Sequence, residues 1–352
     1  MLLPNPTKLA ELQDSIISKG SISVDEANQY ISQLFQFSSI VNNSFLGFNA
    51  VAENNLAIRY HFIQSALHKI IGSITRSEVF FKNAFYLLTN YMVNGFYIEG
   101  LSYFLYVKQA YLFLLKFLPE KELPVFKNVE DNYSKIAAPT GQIPTTDTYF
   151  SEMIKNPSAG SIYTNSYYSA HRSNGAYIFV NHFDKLNSFS KNLHINYEFG
   201  HFCLYSDNEW KIIHPWYSGF KSKSDSFIKN SWNNNIIVDG LRTEEPYWRY
   251  LPFKPKLSHK YFNSFSSEKT DNHQFEIGDN TRKIEITEHV ISVIDQGGEY
   301  SSFNLSDTCR FNVLQASKVE EGTGYHSENA NQVSKHKRLK IYGKERKIVF
   351  LF

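Results

Sequence analysis

The stretch Ala137-Ala-Pro-Thr-Gly-Gln-Ile-Pro144-Thr-Thr-Asp147 separates two unlike halves of the chain. Its prolines, glycine and threonines leave no apolar period, so it reads as a linker. Before it, apolar residues recur at three- and four-residue spacing over Leu56 to Ile71, Val79 to Met92 and Leu101 to Leu118. Stripes that broad predict consecutive helices, each packed on two neighbours. Ser23-Val-Asp-Glu26 is a capping-box pattern, and Gly72, Gly95 and Pro119 fall where helices should stop. After it the period changes to two. Short segments such as Ala176-Tyr-Ile-Phe-Val180, Phe202-Cys-Leu-Tyr205, Ile236-Ile-Val238, Lys283-Ile-Glu-Ile-Thr287 and Val290-Ile-Ser-Val-Ile294 alternate with Asn, Ser, Gly and Asp clusters. Helices first and strands afterwards predict an α+β chain of two domains. The expected boundaries are a helical domain over 1–136, a linker over 137–160 and an antiparallel β-sandwich over 161–352.

At 352 residues and 42% hydrophobic, the chain is long enough to bury a sizeable core in each part. Lys and Arg number 36 against 34 Asp and Glu, and a net charge of +2 does not supply the basic face that nucleic-acid binding needs. The aromatic content, 16% with 23 Tyr and 29 Phe, makes carbohydrate a candidate ligand, because amphipathic rings also line sugar grooves. A biased nucleotide composition accounts for the same enrichment equally well. Cys203 and Cys309 form no CxxC pair, so neither a disulfide framework nor a thiolate zinc cluster is expected. Lys108, Gln109 and Lys116 interrupt the apolar run from Leu101 to Leu118, which argues for a buried helix and against a bilayer span. No basic segment followed by an apolar one opens the sequence, so a soluble chain without a visible leader is expected, its compartment left open.

Two constellations carry chemistry. In Asn94-Gly-Phe-Tyr-Ile-Glu99-Gly100-Leu-Ser-Tyr103-Phe-Leu-Tyr106, a carboxylate and two phenols follow at four- and seven-residue spacing, which puts them on one helical face. A phenol serves as general acid or base once its surroundings lower its pKa; packing between helices is the plainer role for both tyrosines. In Leu193-His194-Ile-Asn196-Tyr-Glu198-Phe-Gly200-His201-Phe202, a period of two sends His194, Asn196 and Glu198 to one face of a strand. Buried polar groups there are costly unless paired, which raises a site above chance, while a solvated strand face carrying an ordinary surface histidine is the plainer reading of this segment alone.

Together these segments resemble the heparinase II/III-like polysaccharide lyases, which join an (α/α) toroid to an antiparallel β-sandwich. Glu99-Gly100-x-x-Tyr103-x-x-Tyr106 is similar to that family's Glu-Gly-x-x-Tyr-x-x-Tyr segment. His194-x-Asn196-x-Glu198-x-Gly200-His201-Phe202 is similar to its His-x-His-x-Asp-x-Gly-Ser-Phe strand. Pro144-Thr-Thr-Asp147, Arg172-Ser173 and Asn233-Asn234-Asn-Ile-Ile-Val-Asp239-Gly240 resemble further family segments in the same order. The resemblance implies β-elimination on an acidic, uronate-bearing polysaccharide, with no cofactor and an incomplete toroid. It implies Asn54 and Asn55 as donors to the substrate carboxylate, His194 as base or as partner to a phenol, and Tyr103 as acid with Tyr106 as substitute. Glu99, Asn196, Glu198, His201, Tyr217 and Arg242 are the implied substrate contacts. The Tyr103 hydroxyl and the His194 ring are expected to open into one interdomain cleft.

The departures from the family pattern concern metal. Family members holding a structural metal use positions that here read Asn196, His214 and Asn233. Two amides and one imidazole suit zinc poorly, so no tightly bound metal is expected, His214 being the weak candidate. These changes also favour an alternative, a catalytically eroded homologue that binds glycan without cleaving it. An unrelated two-domain interaction protein is the third reading.

Overall fold

The computed structural model describes residues 55–70, 72–93, 95–97, 100–145, 153–165, 167–182, 199–216, 234–237, 263–269, 271–277, 279–329 and 332–352. Contacts divide the chain into two units. The first comprises Met1–Val93, Tyr103–Lys127 and Trp248–Lys254, and the second Asn94–Ser102, Asn128–Tyr247 and Pro255–Phe352.

The described helices are α1 (Asn55–Ile70), α2 (Ile74–Asn90), α3 (Leu101–Leu115) and α4 (Pro124–Ile136). Gly72 ends α1 with a positive φ of 79°, and the Ser73 amide donates to the His68 carbonyl at 2.8 Å, closing the turn into α2. α1 and α2 then approach closely through two small residues. Ser65 Oγ donates to the Ser77 carbonyl at 2.9 Å and Ser77 Oγ to the Ser65 carbonyl at 2.7 Å. α3 stops at Leu115, short of the apolar run's end at Leu118, because Pro119 disfavours helical geometry at the residue before it and opens a 3₁₀ turn instead. The core of this first unit is aromatic. Phe62 lies 5.5 Å from Tyr111 and 6.3 Å from Phe126, ring centre to ring centre, and Tyr111 stacks on Phe126 at 4.0 Å. Among the described residues no helix is long and apolar enough to cross a membrane.

Two short strands, β1 (Met92–Val93) and β2 (Phe96–Tyr97), lie between α2 and α3. The remaining strands are β3 (Ile162–Thr164), β4 (Tyr168–Ser173), β5 (Ala176–Asn181), β6 (His201–Ser206), β7 (Glu209–Ile212), β8 (Asn235–Ile237), β9 (Asn263–Lys269), β10 (Asn272–Ile277), β11 (Asn280–Ile286), β12 (Val290–Gln296), β13 (Tyr300–Leu305), β14 (Arg310–Gln315), β15 (Lys318–Asn329), β16 (Gln332–Tyr342) and β17 (Glu345–Leu351). They form a six-stranded sheet in the order β14-β17-β12-β11-β10-β9 and a nine-stranded sheet in the order β15-β16-β13-β7-β6-β5-β4-β3, with β8 on β13. Neighbours run antiparallel. Alternation explains the core. Ile178, Val180, Phe202, Leu204, Phe303, Leu339 and Ile341 of the larger sheet share one cluster with Phe275, Ile284, Ile291, Val293, Ile348 and Phe350 of the smaller. The structure is therefore α+β with an antiparallel sandwich.

The end of α4 is held by hydrogen bonds from the strands that follow it. Within the second unit, Arg172 Nη2 on β4 donates to the carbonyls of Lys135 (2.8 Å) and Ala137 (2.7 Å), and the Tyr177 hydroxyl on β5 to that of Ile136 (2.5 Å). Tyr133 also donates to the Tyr97 carbonyl at 3.1 Å. The last turn of α4 and the residue after it are thereby bonded to the sheet that follows them in sequence.

Candidate functional site

Asn55 is the first residue of α1 and is buried. One turn on, Arg59 is only 2% exposed, and its guanidinium carbon sits 3.4 Å from the centre of the Tyr106 ring on α3. Arg59 Nη1 also donates to the Tyr106 carbonyl. A desolvated cation over a phenol face contributes about 2 kcal/mol. Burial lowers the Arg59 pKa and Tyr106 opposes that shift. Tyr103, half-buried, lies one turn N-terminal to Tyr106 in the opening turns of α3. The first unit thus carries an amide, a guanidinium and two phenols on adjoining turns of α1 and α3. Sequence reading missed Arg59, whose charge looks like an interruption of an apolar run. Nearby, burial pushes the His61 imidazole down to about 4, so the ring is neutral at pH 7.

In the second unit, His201 opens β6 and is fully buried. Its Nδ1 accepts the Asn234 amide N–H at 3.0 Å, which puts the proton of the neutral ring on Nε2, 3.1 Å from Cys203 Sγ. Burial first, then His214 and Arg282, hold its pKa far below the ordinary value. His201, read from the sequence as a substrate contact, is buried in the structure and engaged at both nitrogens. Asn234 completes this network. Its Nδ2 donates to the carbonyls of Phe202 (2.8 Å) and Ile213 (3.0 Å), and its Oδ1 accepts the Asn304 amide at 2.6 Å.

His214 has the same tautomer problem as a metal ligand. Its Nδ1 accepts the Trp216 amide at 2.8 Å, so Nε2 carries the proton in the neutral ring. Among the described residues no group of three or more His, Cys, Asp or Glu could hold a metal ion.

Arg282 on β11, fully buried, pairs with Asp295 on β12 through two bonds of 2.7 and 2.6 Å. Its Nη1 donates to the carbonyls of Gly200 (3.0 Å) and Asn234 (2.6 Å), which fixes the entries to β6 and β8 from the opposite sheet. A second buried polar cluster joins the sheets near β4. His171 Nε2 lies 3.3 Å from His273 Nε2, and the His182 ring stacks on that of His273 at 6.2 Å. Burial pushes His171 down to about 4 and His273 to about 3.

Asn54, Glu99, His194, Asn196, Glu198, Tyr217, Asn233 and Arg242, together with the Ser23–Glu26 helix start, lie outside the described residues. The expected proximity of Tyr103 to His194 therefore also lies outside the described residues.

No family model and no curated protein matches this sequence. Solved structures do match in fold. A structure described as heparinase III aligns with a TM-score of 0.64 and 12% identity, covering 99% of this chain and 68% of its own. The heparan sulfate lyase HepC from Pedobacter heparinus aligns with a TM-score of 0.54 and 11% identity, covering 93% of this chain and 63% of its own. The chain thus spans roughly two thirds of the length of these enzymes. At such identities the likeness is one of fold, and the fold of this chain is that of the heparinase III polysaccharide lyases.

Proposed function

We propose that the protein is a polysaccharide lyase acting on a uronic-acid-containing polysaccharide by β-elimination. The observation that supports this reading most is the heparinase III fold over nearly the whole chain. The tyrosine pair in the opening turns of α3 and the amide that opens α1 accompany it.

In the proposed reaction the C5–H bond of the uronate breaks, its electrons form the C4–C5 double bond, and the C4–O bond to the neighbouring sugar breaks. Donors at the uronate carboxylate stabilise the charge that develops as the C5 proton leaves. Asn54 and Asn55 take that role. His194 takes the C5 proton or lowers the pKa of the phenol that does, and Tyr103 protonates the departing oxygen, with Tyr106 as the alternative. Glu99, Asn196, Glu198, Tyr217 and Arg242 are assigned to sugar contacts. The test is incubation with heparan sulfate and with polyuronates. The conjugated double bond absorbs in the ultraviolet, so rising absorbance marks elimination. Binding without any rise would instead favour a homologue that holds glycan and does not cleave it.

A further inference from the structure

The outer face of the nine-stranded sheet, at its β15 end, carries polar groups that the proposed reaction does not use. Cross-strand register sets Tyr300, Tyr342 and Lys318 side by side, then Ser302, Lys340 and Glu320, then Asn304, Arg338 and Gly322. They share a face because the intervening Phe303, Leu339 and Ile341 point into the sandwich core. Along β16 the three rows lie about 7 Å apart, two residues of strand rise each.

The Tyr300 and Tyr342 rings are 5.3 Å apart at 41°. Lys340 Nζ lies 5.1 Å over Tyr300 and Lys318 Nζ 5.6 Å over Tyr342. Glu320 is taken up locally: Tyr342 donates to its Oε2 at 2.7 Å and Lys318 Nζ approaches its Oε1 at 2.5 Å. Arg338, 9% exposed, donates from Nε to Ser302 Oγ at 3.1 Å. Across from it, a side-chain carbon built on Gly322 would meet nothing within 4 Å, whereas one on Gly324 would come within 2.2 Å of His336 Nε2. Gly322 therefore leaves open space across from Arg338, with the His336 imidazole over Gly324 two residues on. Three cations meet one carboxylate in these rows, and two tyrosines back them.

We infer that this face is a glycan-binding surface made of residues to which the proposed reaction assigns no role, which takes the carboxylate groups of an acidic polysaccharide on Lys318 and Lys340 beside the tyrosine pair. The charge surplus selects an anionic chain, the aromatic backing selects sugar, and the small net charge of +2 disfavours nucleic acid. The inference rests on the polysaccharide reading above, but its test reads binding and not turnover.

The full chain is titrated calorimetrically with polygalacturonate at two salt concentrations. Lys318→Gln with Lys340→Gln should weaken binding about fivefold or more and make the salt dependence shallower, because two cations at a solvated surface are lost. Lys283→Gln with Lys347→Gln, on the other sheet, should leave affinity unchanged, and neutral dextran should not bind. The inference is overturned if the first pair stays within about twofold of wild type, or if the second pair weakens binding equally. It is also overturned if the wild type binds no polygalacturonate, or if duplex DNA binds as tightly with the same sensitivity. Lysine-dependent binding by a chain that eliminates neither heparan sulfate nor any polyuronate would remove the lyase reading and leave this surface standing.

Discussion

At the scale of single residues, the two phenols of α3 have unlike surroundings. Tyr106 has a guanidinium against its ring and another bond at its carbonyl, while Tyr103 sits a turn earlier and half-buried. Tyr103→Phe removes one hydroxyl and keeps the ring, so elimination should fall about 10²- to 10⁴-fold with polysaccharide affinity nearly unchanged. Steady-state rates on the cleaved polymer check this, and retention of most turnover would shift the role to Tyr106. His194→Ala should be comparably severe. Asn234 has a different task. Asn234→Ala strips two carbonyls and one amide of their partners in a dry core, so the unfolding free energy should drop by about 3 kcal/mol or more, measured by urea titration. A drop below about 1 kcal/mol would mean that water replaces the amide.

At the scale of elements, the alternation that builds β11 and β12 also places Arg282 and Asp295 face inward, opposite one another in register. Asp295→Leu should cost about 3–5 kcal/mol, since it strands a fully buried cation. Adding Arg282→Met should not restore the loss, because the Gly200 and Asn234 carbonyls stay orphaned; a double variant as stable as wild type would show that those two bonds are dispensable. Such long-range ties also mark the limit of sequence reading. The helices α1, α2 and α3 and the strands β5, β6, β8, β11 and β12 follow apolar periods visible in the sequence. β15 and β16 do not, because Lys318-Val-Glu-Glu-Gly-Thr-Gly324 alternates charge and glycine where a half-buried strand would alternate apolar and polar. These two hold by pairing with each other along most of their length. At the candidate site the tyrosine pair was legible as a motif. Arg59 was not, because its partner comes 47 residues later in the chain.

At the scale of the molecule, pH should act through the imidazoles that join the two sheets. His171 is neutral and buried, with Asp271 raising and Arg172 lowering its pKa after burial has acted; His273 faces His171 and His182. Both folded values, about 4 and about 3, lie below the unfolded value of about 6.5. The unfolded chain therefore binds protons first as pH falls. Stability is full above about pH 6.5 and declines towards pH 4 by roughly 1.4 kcal/mol per pH unit for each ring, as seen in urea midpoints between pH 7.5 and 5. His171→Gln with His273→Gln should flatten that slope; an unchanged slope would place its origin elsewhere. The strand order of the larger sheet ends on β15, where Lys318, Val319 and Glu321 to Thr323 are exposed among the described residues. An exposed rim is a template for a second copy, and Lys318, Glu320, Glu321 and Gly322 along it work against such pairing. Replacing Lys318 and Glu321 by Val should therefore leave the fold intact and turn a dispersed protein into one that self-associates with rising concentration, visible as growth in light-scattering mass. The charges that obscure β15 in the sequence are thus also a guard against fibrous assembly.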